Sequence, residues 1–250
     1  MSRDKRVVLL ADTNTHMMPD LAREMARRNH NLVLGDALDG LADELKGMGA
    51  AVEVVPDTQD QTRPDTIQKL VDRANDVFGG FDSACIRTGT HGTGDILQAK
   101  LEDAQVQFEG NFLSVFYALK ALVQPLCDQG SGQIVINTSA SGLRPAPFAA
   151  LYSAQRAGAN ALVRAAGQTA GAHGVTINAT GTYAMDYPSF LHDVGADKDP
   201  AARKAVEDAL PIKRLVTPPE AAYFTAGLLD GKNMVQTSQF FSIDGGWAFM

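Results

Sequence analysis

The first interval between apolar segments, ADTNTHMMPDLA at residues 11–22, contains no glycine. It follows the run VVLL and precedes a helical stretch. An alternating α/β chain ordinarily carries a glycine-rich phosphate cradle at that point, so its absence argues against dinucleotide binding. Cysteine is scarce as well. Cys85 and Cys127 are the only two, each within an apolar segment, and read as buried free thiols in a reducing compartment rather than a disulfide framework. No apolar run approaches the ~20 residues of a membrane span. The basic start MSRDKR leads into only five apolar residues before Asp12, too few for a signal-peptide core, and the expectation is a cytoplasmic protein. Positive charge is also lacking: 22 Lys and Arg stand against 29 Asp and Glu, a net charge of −7. That argues against nucleic acid or an anionic membrane as partner, and no metal site is expected.

What is present is a regular alternation. With 250 residues, 45% of them hydrophobic and 20% charged, the chain is long enough for one sizeable core. Residues 7–11, 31–35, 51–55, 82–86, 133–139, 175–180 and 240–244 read as seven strands. Helical stretches lie between them near 18–29, 38–48, 64–78, 100–129, 152–172 and 218–229. Apolar residues at 67, 70, 71, 74, 77 and 78 form the stripe of a surface helix. The expected architecture is α/β: a Rossmann-like, doubly wound, seven-stranded parallel sheet with helices on both faces, as one domain over 1–250. Residues 181–217 interrupt the alternation and are expected to cover the site as a loop and lid.

The chemistry concentrates in INTSASGLRPAPFAALYSAQR. Ser139 ends a strand, where ligands bind in open α/β sheets. Tyr152 opens a helix and Arg156 follows four residues on, on the same face. An arginine cannot give up its own proton, so beside a phenol it acts as a fixed charge favouring the tyrosinate. These three are the expected catalytic residues.

Their order and spacing resemble the short-chain dehydrogenase/reductase superfamily over nearly the whole chain. Asn111 in EGNFLSVFYALK, the segment PIKRLVTPPEAA and the closing SIDGGW fit the same pattern. Reductases of that superfamily carry lysine where Arg156 stands. Arg156 and the glycine-free loop, with SASGLRPAPFAALYSAQRAGAN and GTYAMDYPSFL, resemble the halohydrin dehalogenases. That resemblance implies a cofactor-free lyase acting on a small-molecule haloalcohol. It would displace halide to form an epoxide and, in reverse, open epoxides with small anions. In this reading Ser139 holds the substrate hydroxyl, Tyr152 takes its proton and Arg156 stabilises the tyrosinate. No cofactor is implied, and the long helices imply a homotetramer.

Aligned on the reductase pattern, Asp12, His16 and Met18 replace the three loop glycines, and IRTG (86–89) replaces Asn-Asn-Ala-Gly. Asp36 reads as a solvated helix cap. The dehalogenase loop has Thr, four residues, then Phe or Tyr; here Ala11 and His16 occupy those places. Two readings of His16 stand open: a surface-turn histidine, or a ring that narrows an anion pocket and attracts an anion when protonated. The resemblance makes Thr182, Tyr183, Ala184 and Met185 a halide loop, with Tyr187, Pro188 and Phe190 lining the substrate pocket beside it. Trp247 is open between core packing and a subunit contact. Two alternatives remain at this level: an NAD(P)-dependent short-chain oxidoreductase with an altered cofactor loop, and a non-catalytic binding or assembly relative.

Overall fold

The structure, a computed structural model, describes residues 4–90, 92–146 and 148–249. In chain order it runs β1 (Val7–Ala11), α1 (Met18–Arg27), β2 (Asn31–Gly35), α2 (Leu41–Gly47), β3 (Val52–Val55), α3 (Thr66–Phe78) and β4 (Ser83–Arg87). Then come α4 (Leu101–Phe108), a π turn (Glu109–Leu113), α5 (Ser114–Gln129), β5 (Gly132–Ser139), α6 (Ala150–Gly171) and β6 (Val175–Thr182). The last elements are α7 (Pro188–Asp193), α8 (Pro200–Asp208), α9 (Pro218–Gly227) and β7 (Phe240–Ile243). Residues 1–3 of the basic start and Pro147 of the catalytic segment lie outside the described residues.

The seven strands are parallel and ordered β3-β2-β1-β4-β5-β6-β7. β1 shows why its sequence is an unbroken apolar run. Val7, Leu9 and Ala11 join the core with Ile67 and Leu70 of α3, whereas Val8 and Leu10 join the opposite core with Leu21 and Met25 of α1. A strand covered on both faces has no polar alternation to show. The α3 stripe is buried at Ile67, Leu70, Val71 and Ala74; Val77, at its end, is exposed.

Two features place the site. The strand order reverses between β1 and β4, which opens a crevice beyond the carboxyl ends of the strands. The expected single helix over 100–129 is interrupted by the π turn at Glu109–Leu113. Such turns often mark functional positions, and this one carries buried Asn111, whose Nδ2 donates to the Thr90 carbonyl at 2.9 Å. Apolar periodicity does not distinguish one wider turn from its α-helical neighbours. The insertion over 181–217 folds back through a bridge between Met185 and Val216. It packs as a small core of its own around Ala184, Leu210, Leu215 and Trp247.

Candidate active site

Three strand ends deliver the polar side chains. β4 ends at Arg87, β5 at Ser139 and β6 at Thr182, and all three line one cavity of about 380 Å³. Ser139 is extended, and its Oγ accepts the backbone N–H of Ser141 at 3.1 Å. That contact fixes the hydroxyl oxygen, and the hydroxyl also hydrogen-bonds Tyr152. Tyr152 is the third residue of α6, and Arg156, one turn further, is only 2% exposed.

The burial of Arg156 follows from its partners. Nη1 donates to Thr88 Oγ1 at 3.0 Å and to the Asn111 carbonyl at 3.4 Å, and Nη2 donates to the Thr88 carbonyl. All three acceptors are neutral oxygens, so the guanidinium is held in place while its charge stays uncompensated by them. It lies over the Tyr152 ring, 5.3 Å from Cζ to the centroid. Gly89 makes this possible: a Cβ there would stand 1.5 Å from Arg156 Nη2. At φ +120° the position also suits glycine alone.

The electrostatics select one phenol among three. Burial pushes the Tyr152 hydroxyl up, but the Arg156 charge, hydrogen bonds from Ser139 and Arg156, and the more distant Arg87 outweigh it and bring it below its ordinary value. Tyr183 and Tyr187 line the same cavity and move the other way, because burial dominates at both. Tyr152 is the phenol prepared to exchange a proton.

His16 is not a surface-turn residue. It lies 9% exposed against the cavity, Nε2 is 3.1 Å from Thr182 Oγ1, and its ring meets Tyr187 edge-on at 5.0 Å. Burial, then Arg87, holds its imidazole well below the ordinary range. The protonated ring, the form that would attract an anion, is therefore disfavoured here. Asp36 is not a helix cap either. Its carboxylate accepts the backbone N–H groups of Asp57 and Thr58 and the Thr58 hydroxyl, at 2.6–3.1 Å, and the residue before α2 is Gly40.

Of the remaining expected site residues, Thr182, Tyr183 and Tyr187 reach the cavity. Ala184 and Met185 are buried in two different cores, and Pro188 begins α7. Trp247 packs within its own chain, stacked on Tyr183 at 3.9 Å and capped by Arg144, whose Nη1 donates to the Trp247 carbonyl at 2.7 Å. Sequence reasoning missed Arg87 as a site residue. It sits at the end of the strand SACIR, and its Nη1 donates to Asp12 Oδ2 at 2.5 Å. Its only signal was an arginine where reductases carry asparagine. Among the described residues no cluster of three His, Cys, Asp or Glu could hold a metal, and no helix is long and apolar enough to cross a membrane.

Comparison with known proteins identifies the family. The model for "Enoyl-(Acyl carrier protein) reductase" matches residues 19–248, and the chain belongs to that family within the short-chain dehydrogenase/reductase superfamily. It is similar to a 3-oxoacyl-[acyl-carrier-protein] reductase of Synechocystis sp., 29% identical over 84% of this chain and 81% of the relative. It is also similar to an A-factor type gamma-butyrolactone 1'-reductase of Streptomyces virginiae, 28% identical over 86% and 83%. The fold matches an actinorhodin polyketide ketoreductase solved with NADPH, at TM-score 0.90 and 22% identity over 100% and 99% of the two chains. It also matches YwfH, an NADPH-dependent reductase involved in bacilysin biosynthesis, at TM-score 0.88 and 18% identity over 98% of each.

These findings correct the expectation of a cofactor-independent lyase. The family and the relatives are reductases, so the halohydrin dehalogenase reading, with haloalcohol, epoxide and halide as reactants, gives way to the oxidoreductase alternative. The physical reason is visible in the first loop. Asp12 and His16 hold left-handed conformations, φ +61° and +58°, of the kind that glycine adopts without steric cost. Residue types alone do not show that backbone course.

Proposed function

We propose that this chain is an oxidoreductase of the short-chain dehydrogenase/reductase type that interconverts a carbonyl and a hydroxyl on a small, partly apolar molecule. The observation that carries the reading is the lowered Tyr152 phenol, held between Ser139 and Arg156 at the carboxyl end of the sheet. In the direction of reduction, the Ser139 hydroxyl donates to the carbonyl oxygen of the substrate and Tyr152 gives that oxygen its proton. Arg156 stabilises the tyrosinate left behind. In the direction of oxidation Tyr152 takes the proton back. The substrate size follows from the cavity, about 380 Å³, at the small end of ligand pockets. Its wall of Phe148, Tyr183, Tyr187 and Phe190 favours an apolar body on one side of the reacting oxygen.

NADPH is named with two of the similar structures, and such a dinucleotide supplies a hydride when bound. In the arrangement described, the residues of this chain would hold it only weakly. A carboxylate, Asp12, stands at the first left-handed position of the loop, and Arg87 lies against it across the crevice. Asp36 has both carboxylate oxygens engaged with residues 57 and 58.

Assembly as a homotetramer belongs to the same proposal. Leu101, Val106, Phe108 and Phe116 on α4 and α5 are large apolar side chains left exposed in the single chain, as expected of faces that meet other copies. The functional test is NADPH or NADH consumption with a panel of small ketones and aldehydes. Substrate-dependent consumption should fall about 10²- to 10⁴-fold in Tyr152→Phe. A folded protein inactive across the panel in both directions would overturn the reading.

A further inference from the structure

We propose that Asp12 is a specificity-determining residue, a built-in anion that holds Arg87 across the crevice and competes with the phosphates of a dinucleotide. This rests on the oxidoreductase reading and concerns what a dinucleotide would meet on entering. Arg87 Nη1 donates to Asp12 Oδ2 at 2.5 Å, with the two side chains 25% and 12% exposed. The pair is largely shielded from water, so its attraction is only weakly screened.

Its position matters more than its strength. Arg87 forms part of the wall of two cavities, the 380 Å³ site with Tyr152 and a smaller one of about 100 Å³ that also touches Asp12, Gln59, Gly89 and Thr90. Arg87 and Gly89 line both cavities and Asp12 lines the smaller one, so the ion pair stands where the two adjoin. A dinucleotide with its reacting end at Tyr152 and its other end beyond the first loop has to pass this junction. Its phosphates would then face the Asp12 carboxylate, while Arg87, their natural counter-charge, is already taken.

The backbone beneath the pair is held by hydrogen bonds that do not involve the Asp12 carboxylate. Asp12 is left-handed, and the next residue is tied to the end of β2 by two hydrogen bonds of 2.9 Å, from the backbone N–H and the hydroxyl of Thr13 to the Gly35 carbonyl. Removing the charge at position 12 therefore leaves a loop of the same course with a free arginine beside it. Asparagine tolerates the left-handed conformation, so Asp12→Asn removes the charge without reshaping the turn.

The experiment titrates NADPH into wild-type protein, Asp12→Asn, Asp12→Glu and the double variant Asp12→Asn/Arg87→Gln by calorimetry, with folding checked by circular dichroism. Asp12→Gly replaces Asp12→Asn if the latter does not fold. Asp12→Asn should bind at least tenfold more tightly than wild type. Asp12→Glu should stay near wild type, and the double variant should lose most of the gain. Equal affinity in wild type and Asp12→Asn would overturn the inference and leave the oxidoreductase reading in place if wild type turns over a ketone. Absence of binding in every form would overturn the inference and the reading together. A gain in Asp12→Asn with no turnover by wild type would support the inference while removing the reading.

Discussion

Replacing Arg156 by glutamine tests the electrostatic core of the site without knowledge of the substrate. Arg156 is 2% exposed and its hydrogen bonds go to neutral oxygens of Thr88 and Asn111. Glutamine keeps part of that hydrogen bonding and deletes the charge. A unit charge at about 5 Å in a medium of effective dielectric ~20 is worth roughly 3 kcal/mol to a tyrosinate. That is up to about a hundredfold in the ratio of tyrosinate to phenol at fixed pH.

The assay is ultraviolet difference titration of the phenols, with Tyr152→Phe subtracted so that only Tyr152 reports. In wild type the Tyr152 midpoint should lie below the ordinary tyrosine range, because the Arg156 charge and the Ser139 and Arg156 hydrogen bonds overcome the burial that raises it. In Arg156→Gln burial is left with less opposition, and the midpoint should move up past the ordinary range. Arg156→Lys retains a cation and should fall between the two. A Tyr152 midpoint unchanged in Arg156→Gln would refute the assignment of Arg156 as the stabilising charge, whatever the reaction proves to be.

Three further outcomes follow from the same geometry. Gly89→Ala should cost roughly 2 kcal/mol or more in urea unfolding and lower activity further, since its Cβ would stand 1.5 Å from Arg156 Nη2 at a backbone of φ +120°; unchanged stability would show that the Arg156 seat is not tight. His16 is held well below its ordinary value by burial and by Arg87, so the unfolded chain binds that proton first as pH falls. Stability should therefore be full above about pH 6.5 and decline below it. His16→Asn, which suits φ +58°, should weaken that acid decline in paired melts at neutral and mildly acidic pH, with His30, also depressed, common to both proteins. Parallel declines would exonerate His16. Light scattering should give four times the chain mass, and a monomer at micromolar concentration would reject the assembly.

How much of this the sequence could carry depends on the range over which each feature is encoded. β1 was legible because double burial writes itself as an unbroken apolar run, and all five of its residues are buried; β5 and β6, buried at all eight residues each, carry a shorter apolar stretch among polar residues. Ser139, Tyr152 and Arg156 were legible because a strand end and one helical turn fix their relation locally. The Asp12–Arg87 pair was not, since it joins residues 75 apart at the ends of neighbouring strands. Neither was the fate of His16, whose burial depends on Tyr187 and Thr182 arriving from the far side of the sheet. The lyase expectation rested on the missing glycines of the first loop. Asp12 and His16 remove the glycine signature, yet both adopt the left-handed backbone that glycine favours. A motif reports residue types, whereas phosphate binding depends on the backbone path and the charge beside it. Here the backbone is left-handed at positions 12 and 16, and the charge at position 12 is opposite in sign to what a phosphate needs. Restoring neutrality at that one residue is accordingly a sharper question to put to this protein than restoring all three glycines.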